Sequence, residues 1–310
     1  MARKLAAGLG LAEFPFDTVS GFWRFVDLCE AGGADSLWQT DRIVSRTPIL
    51  ESLTTLAAIA GRTHRMKFGV NVLSLALREP VLVAKQCATI DLLSQGRLLP
   101  GFGIGSPIAP EWQSMGIDTS TRGARTNEAL EIIKRLWREE EIDFAGRFFR
   151  LSRTSISPRP VQANLPVWIG GSSEAAIRRT AQFGTGWQAG PETPVQVRDV
   201  IARIQAALIL AGREIDEDHY GAGIPFRFGR PDDPGVARAF AAYRARTGRE
   251  PAAYFAIGDA ETILSRIEEY VLAGASKFIL RPIARGDEDM LSQTRSAIEY
   301  ILPRIGSLLN

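Results

Sequence analysis

The chain has 310 residues, of which 23% are charged, and its formal net charge is only +2. A chain of this length can bury a large core, whereas so small a net charge gives no electrostatic basis for binding nucleic acid. No apolar run reaches membrane-spanning length and the first residues do not form a convincing signal sequence, so we expect a cytoplasmic protein that acts on a small molecule.

Short apolar runs alternate with longer amphipathic stretches, which is typical of β-then-α units around a parallel sheet. In chain order, the predicted strands are residues 4–9, 35–39, 66–73, 98–102, 167–169, 186–188, 219–224 and 277–280. The predicted helices are residues 19–30, 50–62, 81–93, 125–138, 174–183, 195–210, 262–272 and 288–305. Strict alternation of eight strands and eight helices favours an α/β fold of the (β/α)8 TIM-barrel type over an open doubly wound sheet. We therefore predict a single barrel domain over residues 1–310.

Three segments interrupt the alternation. Residues 105–123 follow the fourth predicted strand, residues 142–166 have the pattern of a hairpin with a proline-rich return, and residues 225–259 follow the seventh strand. The third segment contains one helical run, residues 236–246. Insertions after the carboxyl ends of strands are where such barrels build active sites and lids, the alternative being surface decoration without a role.

Cysteine, histidine and lysine give few candidates for chemistry. Cys29 and Cys87 fall within helical patterns, where a free thiol usually behaves as a small buried hydrophobe. The histidines are His64 and His219, and without clustered ligands we expect no protein-held catalytic metal. His219 begins a predicted strand, which is the wrong end of a barrel for catalysis, so a structural role is favoured. No lysine falls clearly at a strand's carboxyl end, which disfavours a Schiff-base aldolase.

The stretch 165–190 contains two short apolar strands and a turn suited to a phosphate. Gly170 and Gly171 let the backbone turn tightly, and Ser172 or Ser173 can cap the helix that follows. Free N–H groups and the positive end of the helix dipole then favour an anion above the turn. The alternative is that these residues only cap the helix.

Several segments resemble, in order, the bacterial luciferase-like flavin-dependent oxidoreductase (monooxygenase) superfamily. The most specific is ATIDLLSQGRL at residues 88–98, which resembles the family's ATLDxLSxGRL signature and precedes a GxGxG turn at residues 101–105. The others are residues 36–42 (SLWQTDR), 66–80 (MKFGVNVLSLALREP) and 166–190. The resemblance implies a (β/α)8 barrel that holds FMN, reduced flavin or the deazaflavin coenzyme F420 at the carboxyl ends of its strands.

The resemblance also implies where the cofactor lies. The ring of the cofactor rests against a bulge at the end of strand three, often with a cis peptide bond between two residues other than proline, and the matching pair is Asn71 and Val72. Arg125 matches an arginine that often lies near the cofactor tail, and its charge at a helix start indicates a compensating anion. The phosphate is expected beside Gly170, Gly171, Ser172, Ser173, Trp187, Ala189 and Gly190.

Two departures from the family pattern bear on the reaction. Asp41 is followed by Arg42 where deazaflavin-dependent dehydrogenases and many flavin monooxygenases have Asp-His, and Ser106 stands where deazaflavin sugar dehydrogenases have an acid. Both argue against a dehydrogenase that moves protons through that histidine and that acid. We therefore predict a monooxygenase that takes reduced FMN from a separate flavin reductase and oxidises a small organic substrate with dioxygen. F420-dependent hydride transfer and flavin binding without turnover are the alternatives.

Four residues are candidates for catalysis. Arg42 is predicted to hold a substrate carboxylate or to stabilise negative charge on reduced flavin, the alternative being a surface ion pair with Asp41 or Glu51. Asn71 is predicted to offer its amide to the ring edge, the alternative being a turn residue, and Glu13 is a weaker candidate at the same mouth. We also expect a homo-oligomer. The predicted catalytic residues are Asp41, Arg42, Asn71 and Ser106.

Overall fold

A parallel sheet curls into a ring in the computed structural model, which describes residues 3–309. The strands are β1 (Ala6–Leu11), β2 (Ser36–Gln39), β3 (Lys67–Val70), β4 (Leu73–Ser74), β5 (Leu98–Leu99), β6 (Gly101–Gly103), β7 (Ile142–Ala145), β8 (Arg150–Thr154), β9 (Trp168–Gly170), β10 (Gly186–Gln188), β11 (Tyr220–Phe228), β12 (Ala256–Gly258) and β13 (Lys277–Pro282). The helices are α1 (Val19–Ala31), α2 (Ser52–Arg62), α3 (Pro80–Leu93), α4 (Glu111–Ser114), α5 (Arg122–Arg138), α6 (Glu174–Phe183), α7 (Pro194–Leu210), α8 (Pro234–Thr247), α9 (Ala260–Leu272) and α10 (Asp287–Tyr300).

The strand order shows that the ring closes. Neighbouring strands pair in parallel in the order β4-β6-β9-β10-β11-β13-β1-β2-β3-β5. β3 and β4 are two halves of one barrel strand interrupted at Asn71 and Val72, and β5 and β6 are two halves of the next, interrupted at Pro100. Because β3 pairs with β5 and β4 with β6, the two ends of this order meet. The predicted (β/α)8 barrel is confirmed.

The helices outside the insertions surround the ring, each with an apolar face turned inward. In α1 the buried apolar side chains recur at helical spacing: Phe22, Phe25, Val26 and Cys29. Thr18 caps this helix, its hydroxyl accepting a hydrogen bond from the Gly21 N–H at 2.9 Å. Burial raises the pKa of the Cys29 thiol and raises that of Cys87 to about 12, so both thiols act as buried hydrophobes, as predicted.

Large side chains plug the inside of the ring: Trp38, Leu99, Trp168 and Ile279. The Trp38 and Trp168 rings meet edge to face with centroids 5.8 Å apart. Gly69 makes room for them, since a Cβ there would lie 2.7 Å from Trp38 Cζ3. His219, which precedes β11, lies edge-on to Trp168 at 5.5 Å. His219 is therefore at the amino-terminal end of the barrel, as predicted, and a ligand has to enter from the opposite end.

The structure corrects several predicted bounds. Residues 66–73 are two short strands because the chain bulges between them, and residues 225–228 still belong to β11, so the third insertion begins at Gly229. Within that insertion α8 covers the predicted helical run, and β12 adds in parallel to β11. The hairpin predicted in residues 142–166 is confirmed as antiparallel β7 and β8. Across residues 3–309, no helix combines the length and the apolar character needed to span a bilayer.

Candidate active site

The bulge between β3 and β4 places Val72 in the mouth of the barrel. The peptide bond between Asn71 and Val72 is cis, as in the bulge that the resemblance implies. A Cβ on Gly103 would lie 2.5 Å from Val72 Cγ2, and a Cβ on Gly170 would lie 2.9 Å from the same side chain. The two glycines therefore provide the space that Val72 occupies. The structure brings the bulge, the glycine turn after β6 and the end of β9 together.

The turn after β9 has the geometry expected of an anion site. Gly171 has a φ of +108°, which residues with a side chain rarely adopt, and its carbonyl accepts a hydrogen bond from Trp187 Nε1 at 2.8 Å. Ser173 caps α6, its hydroxyl accepting from the Ala176 N–H at 3.3 Å. The first N–H groups of α6 have no partner within the helix and therefore suit an anion.

A carboxylate already occupies one side of this turn. Glu192 follows β10 and is only 8% exposed, and its Oε1 accepts a hydrogen bond from Ser172 Oγ at 2.5 Å. Its other oxygen, Oε2, is buried and has no hydrogen-bond partner among residues 3–309. A phosphate at this turn meets the like charge of Glu192. The glycines, the helix start and the Ser172 hydroxyl fit a phosphate, whereas the carboxylate of Glu192 opposes one.

Asp41 is buried behind the bulge. Its side chain is 1% exposed and accepts hydrogen bonds from both terminal nitrogens of Arg78, at 2.7 and 2.9 Å. It also accepts from the Ser74 N–H and from Ser52 Oγ, each at 2.9 Å. Both carboxylate oxygens are thus engaged, and through Ser74 the carboxylate fixes the start of β4.

The ion-pair partner of Arg42 is Glu111 rather than Asp41 or Glu51. Its side chain is 39% exposed and lies 3.4 Å from Glu111 Oε1, whereas Asp41 is taken by Arg78. Glu111 is 2% exposed and begins α4 in the first insertion. The pairs of Arg42 with Asp41 or Glu51 are therefore not formed, and Arg42 instead joins the end of β2 to the first insertion.

The glycine turn after β6 leads directly to Ser106. Its carbonyl accepts a hydrogen bond from Trp112 Nε1 at 2.7 Å, and Trp112 follows Glu111 in α4. The Trp112 indole also covers Gly105, where a Cβ would lie 2.9 Å from Cζ2. Ser106 and Arg42 are therefore connected through the same short helix.

Arg125 lies in the first turn of α5, at the edge of this cluster. Its Nε donates to the Ala76 carbonyl at 3.0 Å and its guanidinium lies 4.5 Å from the centroid of the Phe149 ring. Glu79 Oε1 lies 3.4 Å from Arg125 Nη2. The compensating anion expected for Arg125 is therefore present within the chain.

A cavity of about 640 Å³ opens at the carboxyl ends of β1, β11 and β13, beneath α8. Glu13 lines it, but none of the predicted catalytic or cofactor residues does, all of which lie within residues 3–309. Tyr243 and Tyr254 separate it from the phosphate turn, and their hydroxyls donate to the carbonyls of Pro191 at 3.3 Å and Gly190 at 3.4 Å. The cavity therefore lies next to the turn after β9 rather than at it.

A family model described as luciferase-like monooxygenase matches residues 4–253. The chain belongs to the luciferase-like monooxygenase family. Among solved structures, this luciferase-like protein is similar to monooxygenase RslO1 from Streptomyces bottropensis, with a TM-score of 0.83, 19% identity, and coverage of 97% of this chain and 99% of that one. At that identity the similarity shows the fold alone.

Two curated relatives are similar to the chain in sequence. An uncharacterised protein of Mycobacterium tuberculosis is 34% identical over 167 residues, which is 54% of this chain and 57% of that protein. The F420-dependent glucose-6-phosphate dehydrogenase of Kineococcus radiotolerans is 26% identical over 225 residues, which is 69% of this chain and 65% of that protein. The chain thus spans less than two thirds of the length of these relatives. A flavin or F420 is the cofactor typical of this family.

Sequence reasoning missed three polar groups of this luciferase-like mouth. Gln188 is 1% exposed, and neither atom of its amide has a partner in the described part of the chain. The Nε of Arg281 and the Oε2 of Glu192 are likewise buried without a partner among residues 3–309. All three lie at or just after the carboxyl end of a predicted strand, which is the position that a barrel reserves for its site. That rule, applied to every polar residue, would have found them.

The side chains of Asp216, Asp218 and His219 bring their ligand atoms within 4.8 Å of one another, a cluster that the sequence analysis did not anticipate. It precedes β11 and therefore lies at the amino-terminal end of the barrel, away from the mouth. Exposed acidic groups of this kind are common without a metal, and the cluster contributes nothing to the site.

Proposed function

We propose that this luciferase-like enzyme is a monooxygenase that uses reduced FMN and dioxygen to oxidise a small organic substrate. The observation that carries the proposal is the position of the histidines. His64 precedes β3 and His219 precedes β11, so both lie at the amino-terminal end, while Arg42 stands where the family resemblance implies a histidine. Proton transfer to or from a substrate hydroxyl through that histidine is therefore not available here.

The residues of the mouth bind and orient in this proposal. The turn at Gly171 and the Ser172 hydroxyl hold the phosphate, next to Trp187 and the Ala189–Gly190 segment. Val72 supports the ring face and Asn71 donates to the ring edge. When bound, reduced FMN activates dioxygen, which leaves the chain the tasks of positioning the substrate and excluding water.

In this proposal, the residues around Arg42 stabilise negative charge that forms beside the flavin ring. Its guanidinium, half exposed and held by Glu111, is placed to stabilise an anion at the mouth. Asp41 acts as a positioning residue through Ser74, and Ser106 lines the same wall. Arg125 is assigned to the cofactor tail.

A second candidate is F420-dependent hydride transfer. Glu111 and Glu192 are nearly buried carboxylates at the mouth, and either could move a proton in place of the missing histidine. The name of the Kineococcus radiotolerans relative, an F420-dependent dehydrogenase, agrees with this candidate.

Equilibrium binding of oxidised FMN, reduced FMN and F420 to the purified protein separates these functions. We expect reduced FMN, titrated without oxygen, to bind most tightly, and the protein to change the rate at which oxygen reoxidises it. Tightest binding of F420 would overturn the monooxygenase in favour of hydride transfer, and no binding of any of the three would overturn both. The separate reductase and the homo-oligomer also belong to this proposal, and light scattering tests the oligomer.

A further inference from the structure

The cavity beneath α8 carries uncompensated positive charge. Among residues 3–309, five arginines and three carboxylates line it. Two of those carboxylates, Asp233 and Asp289, pair with a single arginine, Arg227, at 2.9 and 3.0 Å. The third carboxylate is Glu13. The other four arginines form no ion pair with any residue in 3–309: Arg238, Arg246, Arg281 and Arg285.

Arg281 shows how this charge is held. It lies one residue before the end of β13 and is partly buried, and it donates to the Tyr254 hydroxyl and, at 3.4 Å, to the Gly223 carbonyl. Its Nε is buried and has no partner within the described chain. A buried donor without an acceptor is unfavourable, and a guanidinium is best satisfied by a planar or tetrahedral oxyanion.

Two further features of the cavity agree with an anionic ligand. Pro234 and Gly235, at the start of the 14-residue helix α8, line it, so the positive end of that helix dipole faces inward. The remaining wall is largely apolar and includes Leu11, Phe255 and Met290. A volume of about 640 Å³ lies within the usual range of roughly 300–1,000 Å³ for sites that take small organic molecules.

We propose that this cavity binds an organic anion, a carboxylate or phosphate group on an apolar body, with the charged group against Arg281 and the arginines of α8. That the anion is the substrate rests on the proposed function, whereas its binding does not. The apolar body extends towards Tyr254. The hydroxyl of Tyr254 contacts Gly190, which belongs to the proposed cofactor site.

Titration calorimetry on the full chain without cofactor tests the binding. The probes are phenyl phosphate, benzoate, inorganic phosphate and the neutral benzyl alcohol. We expect phenyl phosphate or benzoate to bind at least tenfold more tightly than benzyl alcohol and than inorganic phosphate, and the tighter of the two identifies the preferred anion. Equal binding of benzyl alcohol would overturn the proposal, because the arginines would then contribute nothing.

Matched variants locate the site. Arg238→Gln combined with Arg285→Gln removes two exposed guanidiniums from the cavity, and we expect at least a tenfold loss of anion affinity. Arg244→Gln is the control, since Arg244 lies on the same helix but pairs with Glu250 at 2.8 Å and does not line the cavity. Equal losses in both variants would overturn the assignment, with melting curves confirming that each is folded. If the protein binds the anions but not reduced FMN, the proposed function alone is overturned. If it binds reduced FMN but not the anions, this inference alone is overturned.

Discussion

Replacing Glu192 with glutamine is the sharpest test of the phosphate turn. Glu192→Gln keeps the shape of the side chain and its hydrogen bond to Ser172, but it removes the negative charge that lies beside the turn. If the cofactor phosphate binds there, the variant should bind FMN more tightly than the wild type. Because the buried Oε2 has no partner in the described part of the chain, we expect the loss of the charge not to destabilise the fold.

The size of the effect follows from the geometry. Ser172 Oγ lies 2.5 Å from Glu192 Oε1, so a phosphate that shares this hydroxyl approaches the carboxylate to within a few ångströms. Two unit charges 4 Å apart interact by about 4 kcal/mol at an effective dielectric constant of 20. Because the carboxylate relieves part of this by turning away, we expect a gain of about 2 kcal/mol, roughly thirtyfold in Kd.

Fluorescence titration of FMN into wild type and Glu192→Gln measures this change. Glu268→Gln, at an exposed position of α9, is the control and should leave the Kd unchanged. The gain should shrink little at high salt, since a buried pair is screened less than an exposed one. Equal or weaker binding by Glu192→Gln would refute the placement of the phosphate at this turn.

Three further outcomes are expected. Gly171→Val should weaken FMN binding at least tenfold, because its φ is +108° and its Cβ would lie 3.2 Å from Ala176 Cβ, whereas Gly212→Val, at another positive φ in open space, should not change the Kd. Arg42→Lys should retain part of the turnover and Arg42→Ala little, and both variants should bind the cofactor with similar affinity. Full turnover in Arg42→Ala would mean that Arg42 has only a structural role, as the ion-pair partner of Glu111. Burial, with help from nearby arginines, lowers the pKa of Lys134 to about 8, so the unfolded chain binds more protons above that pH. The free energy of unfolding, measured with urea, should then rise between pH 8 and 10 in the wild type relative to Lys134→Met. The same pH dependence of this free energy in both proteins would contradict the prediction.

The barrel was predictable because its signals are local. Alternation of apolar runs and amphipathic stretches predicts each βα unit. The tight turn at Gly171 is predicted by the residue type alone. The ion pairs were not predictable, because partners such as Asp41 and Arg78 lie 37 residues apart and meet only when the ring closes. The cavity beneath α8 was not predictable for the same reason, since Arg238 of α8 and Arg281 of β13 come together only in the folded chain.

A small aromatic cluster anchors α8 apart from the main core of the protein. Tyr243, Tyr254 and Phe255 are buried together apart from the main core, and the Tyr243 and Tyr254 rings stack with centroids 5.0 Å apart. Because this cluster is separate from the main core, we expect α8 to open locally while the ring of strands stays folded, and its amide protons to exchange with solvent through that opening. A molecule held between α8 and β13 closes that route, and hydrogen exchange in a single helix then reports what the cavity has bound.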